Sequence, residues 1–203
     1  MKHPRHSGGF TLIELMFTVA ILAILLGIGI PSLVTTVQNG RMVAAANNAL
    51  ATLHIARSEA VKQRANVVVC PSPNPTAVPP VCGGSMVGGG LIGFVDRNGN
   101  GQVDPNANPR LDDTVVNTVD GLDPTVFTMN ANGNYIGIAS TGFAQNVAAL
   151  GGPSATNLVL CDTRGNVDLG NGVSAARVIN ISVTGRGQVL RTVAEVNNAG
   201  GCP

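Results

Sequence analysis

Histidine is scarce in this chain of 203 residues: there are three, His3, His6 and His54. The first two lie in a polar N-terminal stretch and the third falls on a helix face, so the chain is poorly equipped for general acid–base catalysis. The adjacent acids Asp112 and Asp113 read as a solvated loop pair, not as a catalytic dyad. Charge is scarce as well, at 11% of residues, with a formal net charge of +1. Removing Lys2 and Arg5 with the first nine residues leaves ten Lys/Arg against eleven Asp/Glu. A protein built to coat nucleic acid carries a clear basic excess, which this one lacks. No Cys-x-x-Cys pair or Cys/His cluster is present to hold zinc, and no internal repeat is evident. With one Tyr, no Trp and five Phe, the apolar share of 44% is mostly aliphatic. Twenty-six Gly and twelve Pro call for many turns. Length and composition together fit one anchor and one β-rich domain.

The strongest pattern is N-terminal. A polar stretch, Met1 to Gly9, contains Lys2 and Arg5 and ends in Gly8-Gly9. From Phe10 to Ile30 every residue is apolar or small except Thr11, Glu14 and Thr18. As a helix this run is about 30 Å long, the thickness of a bilayer core. An ordinary secretory signal places its small-residue cleavage site after the apolar run; here the polar, Gly-ended piece precedes it. Lys2 and Arg5 predict a cytoplasmic N-terminus and an exported C-terminus. Glu14 stands out, because a carboxylate deep in a span costs roughly 2.5–3.5 kcal/mol. Cutting between Gly9 and Phe10 would create an α-ammonium one helical turn away, able to pair with Glu14 of the same chain or of a stacked neighbour.

After Pro31 the apolar residues Leu33, Val37, Val43, Ala46, Leu50, Leu53 and Ala60 recur at mostly three- and four-residue steps. They predict one face of a helix to about Arg64. Gln38, Arg41, Asn48, His54, Arg57 and Lys62 occupy the other face. Span and amphipathic segment read as one helix of about 55 residues, with a kink or melted turn at Pro31 beside Gly27 and Gly29. The expected organisation is a leader over 1–9, a membrane or filament-core helix over 10–31, an amphipathic half over 32–65 and a β-rich head over 66–203.

In the head, Val67 to Cys70 and Leu91 to Val95 read as strands flanking a Pro-rich loop (Pro71, Pro73, Pro75, Pro79, Pro80) and a Gly stretch from Gly83 to Gly90. Further strands are expected near Thr114–Val119, Thr125–Met129, Tyr135–Ala139, Leu158–Cys161, Val178–Val183 and Val189–Val193. Turn signals at Asn132-Gly133, Arg164-Gly165-Asn166 and Gly185-Arg186-Gly187 separate them. The four cysteines, Cys70, Cys82, Cys161 and Cys202, fit an oxidising compartment and allow three pairings. Cys70–Cys82 would close the Pro-rich loop, and Cys161–Cys202 would tie down a Gly/Asn-rich tail. Crossed pairings would need that loop to lie against the tail, and nothing in the sequence asks for it.

The hexapeptide Gly9-Phe10-Thr11-Leu12-Ile13-Glu14 resembles the processing site of type IV prepilins and type II secretion pseudopilins. The resemblance implies that a prepilin peptidase cuts after Gly9 and methylates Phe10, and that Glu14 serves assembly. Pro31 also falls where those helices often carry proline. In the head, Cys70-Pro71-Ser72, Gly93-Phe94-Val95-Asp96, Leu160-Cys161-Asp162-Thr163-Arg164-Gly165 and Ser182-Val183-Thr184-Gly185-Arg186 resemble the GspH/FimT group of minor pilins and pseudopilins. The implied fold is α+β, a long N-terminal helix packed on an antiparallel β-sheet head. The implied place is the bacterial inner membrane, single-pass, with a cytoplasmic N-terminus and periplasmic head, and then the filament. The implied partners are other pilin or pseudopilin subunits, the prepilin peptidase and inner-membrane lipid. No catalytic residue and no cofactor is implied.

Two further constellations are candidates for binding. Asp96-x-Asn98-x-Asn100-Gly101-x-x-Asp104 partly matches a calcium loop, but Ala107 stands where the twelfth-position acid belongs. Such Asx-rich loops also form tight turns without metal. Arg177, Arg186 and Arg191 gather around the last hairpin, with Arg164 a further neighbour. Some FimT-type minor pilins bind DNA through Gly-Arg-x-Arg, and Gly185-Arg186-Gly187-Gln188 has Gln in the second Arg position. DNA capture is therefore the alternative function, through arginines gripping phosphates without reading sequence.

Overall fold

The computed structural model describes residues 9–83, 90–104, 112–119, 128–131 and 135–202. Lys2 and Arg5 of the leader, Ala107, residues 125–127 of an expected strand and the Asn132-Gly133 turn lie outside these. The described chain opens with α1, Leu12–Gln63. Residues up to 40 and from 41 onward form two units. In the first, every residue from Gly9 to Ile28 is exposed, and this helix is the one described segment long and apolar enough to cross a membrane. All residues of α1 are helical through Pro31, so the melted turn expected there does not form. One missing N–H costs a single backbone bond, and the flanking bonds carry the helix on.

In the second unit, Met42, Ala45, Ala46, Ala49, Thr52, Leu53, Ala56 and Ala60 are buried. The buried stripe is thus richer in alanine than the sequence pattern suggested, and Val43, expected on it, is 46% exposed. Large aliphatics dominate a periodicity reading, yet alanines let a helix approach a sheet closely. Thr52 bonds both ways: its hydroxyl donates to the Asn48 carbonyl (3.0 Å) and accepts from Asn117 Nδ2 (2.7 Å). The helix ends where Arg64 enters the left-handed region (φ 49°) and the Ala65 amide returns to the Ala60 carbonyl (3.3 Å). That is a Schellman closure, usually made with glycine.

The head has two antiparallel sheets. β1 (Asn66–Ser72), β2 (Gly90–Asp96), β3 (Thr114–Val119), β5 (Ile136–Ile138) and β6 (Ala144–Gln145) form one in the order β3-β2-β1-β5-β6. β4 (Thr128–Ala131), β7 (Asn157–Cys161), β8 (Val173–Ile181) and β9 (Gly187–Thr192) form the other in the order β4-β7-β8-β9. A short helix, α2 (Val193–Asn198), follows β9. The main core joins the buried face of α1 to Val67 and Val69 of β1, Leu91 and Val95 of β2, Ile136 and Ile138 of β5, Leu158 and Leu160 of β7, and Ile179 and Ile181 of β8.

Each sheet also has a second, smaller core on its other face. Val68, Cys70, Ile92, Phe94, Tyr135 and Val147 make one. Val159, Cys161, Ala176, Val178 and Val196 of α2 make the other. This explains the run Val67-Val68-Val69-Cys70: a strand buried on both faces loses the alternation of a half-exposed one. The Tyr135 hydroxyl sits inside its core, accepting from the Val147 amide (2.8 Å) and lying within reach of the Val147 and Gly152 carbonyls.

Candidate processing and assembly site

Gly9, Phe10 and Thr11 precede the first helical residue and are exposed, Phe10 at 81%. The Glu14 amide donates to Thr11 Oγ1 (3.3 Å), and the Thr11 amide donates to Glu14 Oε2 (3.4 Å). These reciprocal bonds make Thr11 the N-cap and Glu14 the third helical residue of a capping box, which satisfies donors at the exposed helix start. The Glu14 carboxylate is thereby turned back toward the Phe10–Thr11 peptide. The Thr-x-x-Glu spacing was a readable signal for this cap, one overshadowed by the membrane cost of the carboxylate.

The Asp96–Asp104 loop closes on its own amides. Asp96 accepts at Oδ1 from the amides of Gly99 (2.7 Å) and Asn100 (3.2 Å), and at Oδ2 from Gly101 (3.0 Å). Asp104 Oδ2 accepts from the side-chain amides of Asn98 (3.1 Å) and Asn100. Asn98 Oδ1 and Asn100 Oδ1 accept from the backbone two residues on. These are Asx turns, and a cation would have to displace those N–H donors. Asp113, buried beside the loop, accepts from the amides of Arg97 (2.9 Å) and Asp104 (3.2 Å). Burial holds its carboxyl above the ordinary range against those two bonds, and the charges of Asp96 and Asp104 add to the rise.

The arginines of the last hairpin do not form one cluster. Arg177 is buried in β8, and its Nη1 donates to the carbonyls of Ser174 (2.6 Å), Ala175 (3.3 Å) and Ala176 (2.7 Å). It pins the irregular stretch where the β8–β9 register shifts between Val173 and Val178. Burial lowers its affinity for the proton, and the charges of Arg191 and Arg164 lower it further. Arg164 pairs with Asp162 (2.5 Å). Arg186 lies at the opposite end of β9 from Arg191, in the exposed turn that joins β8 to β9. Arg177 is therefore buried and committed through Nη1 to backbone carbonyls.

Cys70 is joined to Cys82 and Cys161 to Cys202, with Cα–Cα separations of 5.6 and 5.8 Å. Among the described residues no group of three or more His, Cys, Asp or Glu is placed to hold a metal ion.

Residues 45–185 match the profile of the type II transport protein GspH. The chain belongs to the GspH family. Residues 4–30 of this GspH-family protein also match the prokaryotic N-terminal methylation motif. It is a pilin-like structural subunit whose N-terminal helix is, among the described residues, the one that spans a membrane, the topology of a single-pass inner-membrane protein. No curated protein matches the chain. Among solved structures it is similar to the type IV minor pilin FimU of Pseudomonas aeruginosa (strain PAO1) in two crystal forms. The P21 form shows 19% identity and a TM-score of 0.45, covering 74% of this chain and 89% of that one. The P65 form shows 20% and 0.43, with coverage of 72% and 90%.

Proposed function

We propose that the protein is a minor pilin or pseudopilin whose residues 1–9 are removed by a prepilin peptidase. The new N-terminal Phe10 is then methylated and the mature chain enters a type II secretion pseudopilus or type IV pilus. In this reading 10–31 is the membrane and filament-core segment, 32–65 the amphipathic half of the helix and 66–203 the periplasmic head. The carrying observation is the exposed, non-helical Gly9–Phe10 bond just ahead of a capped, membrane-length helix. Leader cleavage frees an ammonium close to the carboxylate of Glu14, and pairing there or with a neighbour's Glu14 offsets the cost of burying that charge. Mass analysis of the N-terminus of the native membrane protein tests it: mature Phe10, N-methylated, is expected, and an intact Met1 in cells with active peptidase refutes it. Gly9→Ala is expected to leave the precursor uncut.

DNA capture is the second reading, through the exposed Arg186, on a turn beside the half-exposed Phe143, and the exposed Arg191 at the other end of β9. Arg186→Ala and Arg191→Ala would then weaken binding to all sequences alike and flatten its salt dependence. No shift of DNA at low salt by the mature protein removes this reading.

A further inference from the structure

α2 is too short to cover the whole face of the sheet it packs on. Its Val196 is buried in the outer core with Val159, Ala176 and Val178. The helix then ends at Asn198. The Gly201 amide returns to the Val196 carbonyl (2.9 Å), and Cys202 draws the chain back to Cys161. Past that end the same sheet face continues. The register sets Asn157 opposite Asn180 across β7 and β8, and Val178 opposite Leu190 across β8 and β9. Val178 and Asn180 are two apart in one strand and so share a face.

A cavity of about 230 Å³ lies there, against Val178, Leu190 and Ala199 on its apolar side. Its polar side is three carboxamides, Asn157, Asn180 and Asn198, and one carboxylate, Glu195. Asn180 and Asn198 are exposed. Glu195 Oε2 is taken by the amides of Arg191 (3.2 Å) and Thr192 (2.9 Å) and by the Thr192 hydroxyl (2.7 Å). Among the described residues these bonds reach Oε2 alone, which leaves Oε1 to the cavity. The Thr192 bonds also hold the carboxyl below its ordinary range, so it is charged at neutral pH.

This lining excludes most ligand classes. An anion meets the charge of Glu195. An ammonium or guanidinium has no acceptor for the carboxamide N–H groups. A purely apolar molecule strands the polar side without partners. A hydroxyl both donates and accepts, so it can give its proton to Glu195 Oε1 while accepting from an asparagine Nδ2. The C–H face of a sugar ring suits Val178 and Leu190. The volume lies below the roughly 300–1,000 Å³ of sites for drug-sized ligands, which leaves room for one ring and not for a chain of them.

We propose that this cavity binds one neutral hexopyranose ring, with its hydroxyls on Asn180, Asn198 and Glu195 and its apolar face on Val178 and Leu190. The site is complete in one chain and independent of the filament reading.

The test uses the full chain in a detergent without a sugar headgroup. Glucose, galactose and mannose are the probes, and lysine and acetate the charged controls. Saturation-transfer NMR is expected to show transfer from the protein to at least one hexose and to neither control. Asn180→Leu and Asn198→Ala are each expected to cut that transfer about tenfold, the effect of losing a hydrogen bond and unpairing the hydroxyl that made it. Both positions are exposed, so the thermal midpoint is expected to stay at the wild-type value, and should one variant unfold the other decides. Val78→Ser, in the Pro-rich loop, is expected to leave the transfer unchanged. Absence of transfer to every hexose overturns the proposal, as does equal transfer to lysine or acetate, or full transfer retained in both asparagine variants.

Discussion

Arg177 spends its charge on backbone. Its neighbours in sequence suggested a shared arginine patch, but strand geometry places Arg186 at the far end of β9 and turns Arg177 into the bulge it stabilises. Sequence spacing cannot reveal a bulge, because the register shift comes from how β8 meets β9. Arg177→Leu leaves three carbonyls without their donor and is expected to cost about 2–4 kcal/mol. The check is the urea midpoint at unchanged slope. Arg186→Ala should move it by no more than about 0.5 kcal/mol. Glu14 caps the helix, and the proposed function gives it a second, separable duty in assembly. Glu14→Gln can keep the capping box with Thr11 but carries no charge, so helix content should persist while filament incorporation fails. Normal incorporation of that variant would show that charge pairing is not what assembly needs. The N-terminal methylation motif was legible because polar stretch, apolar run and acid sit together in sequence.

At the level of elements, α1 was legible in extent but not in its buried face, where Ala45, Ala49 and Ala56 outweigh Val43. Its end holds a residue out of character. Arg64 pays the left-handed penalty that glycine avoids, so Arg64→Gly is expected to stabilise the head by about 1 kcal/mol, seen as a raised urea midpoint. The short helix α2 was missed and read as the end of a strand and a fraying tail. Its signal was present in Thr192-x-x-Glu195: the Glu195 amide donates to Thr192 Oγ1 (3.2 Å), and Glu195 Oε2 accepts from the Thr192 amide (2.9 Å). The Thr192 bonds hold the Glu195 carboxyl below its ordinary value near 4.5. A carboxyl depressed in the folded state adds stability above its unfolded pKa and loses it as pH falls through the folded one. Wild type should therefore exceed Glu195→Gln in thermal stability at neutral pH, with the gap closing below about pH 4. A gap constant from pH 7 to pH 3 would show that the charge contributes nothing.

Across the whole molecule, the two disulfides belong to the two outer cores, Cys70–Cys82 to the face of the β1 sheet away from α1 and Cys161–Cys202 to the face under α2. Loop chemistry alone suggested those pairs, whereas the three-core arrangement was not legible, because a strand buried on both faces does not say what covers each side. Replacing Cys161 and Cys202 with Ala should cost about 4 kcal/mol by chain entropy, and amide hydrogen exchange should rise first in α2 and β9. The pairings are also consecutive along the chain, neither nested nor crossed. A head exported behind an N-terminal anchor emerges in chain order, so Cys82 reaches Cys70 before Cys161 appears, and Cys202 then finds a single open thiol. Order of arrival alone selects the native bonds, so this head can mature in a cell that has a thiol oxidase but no disulfide isomerase.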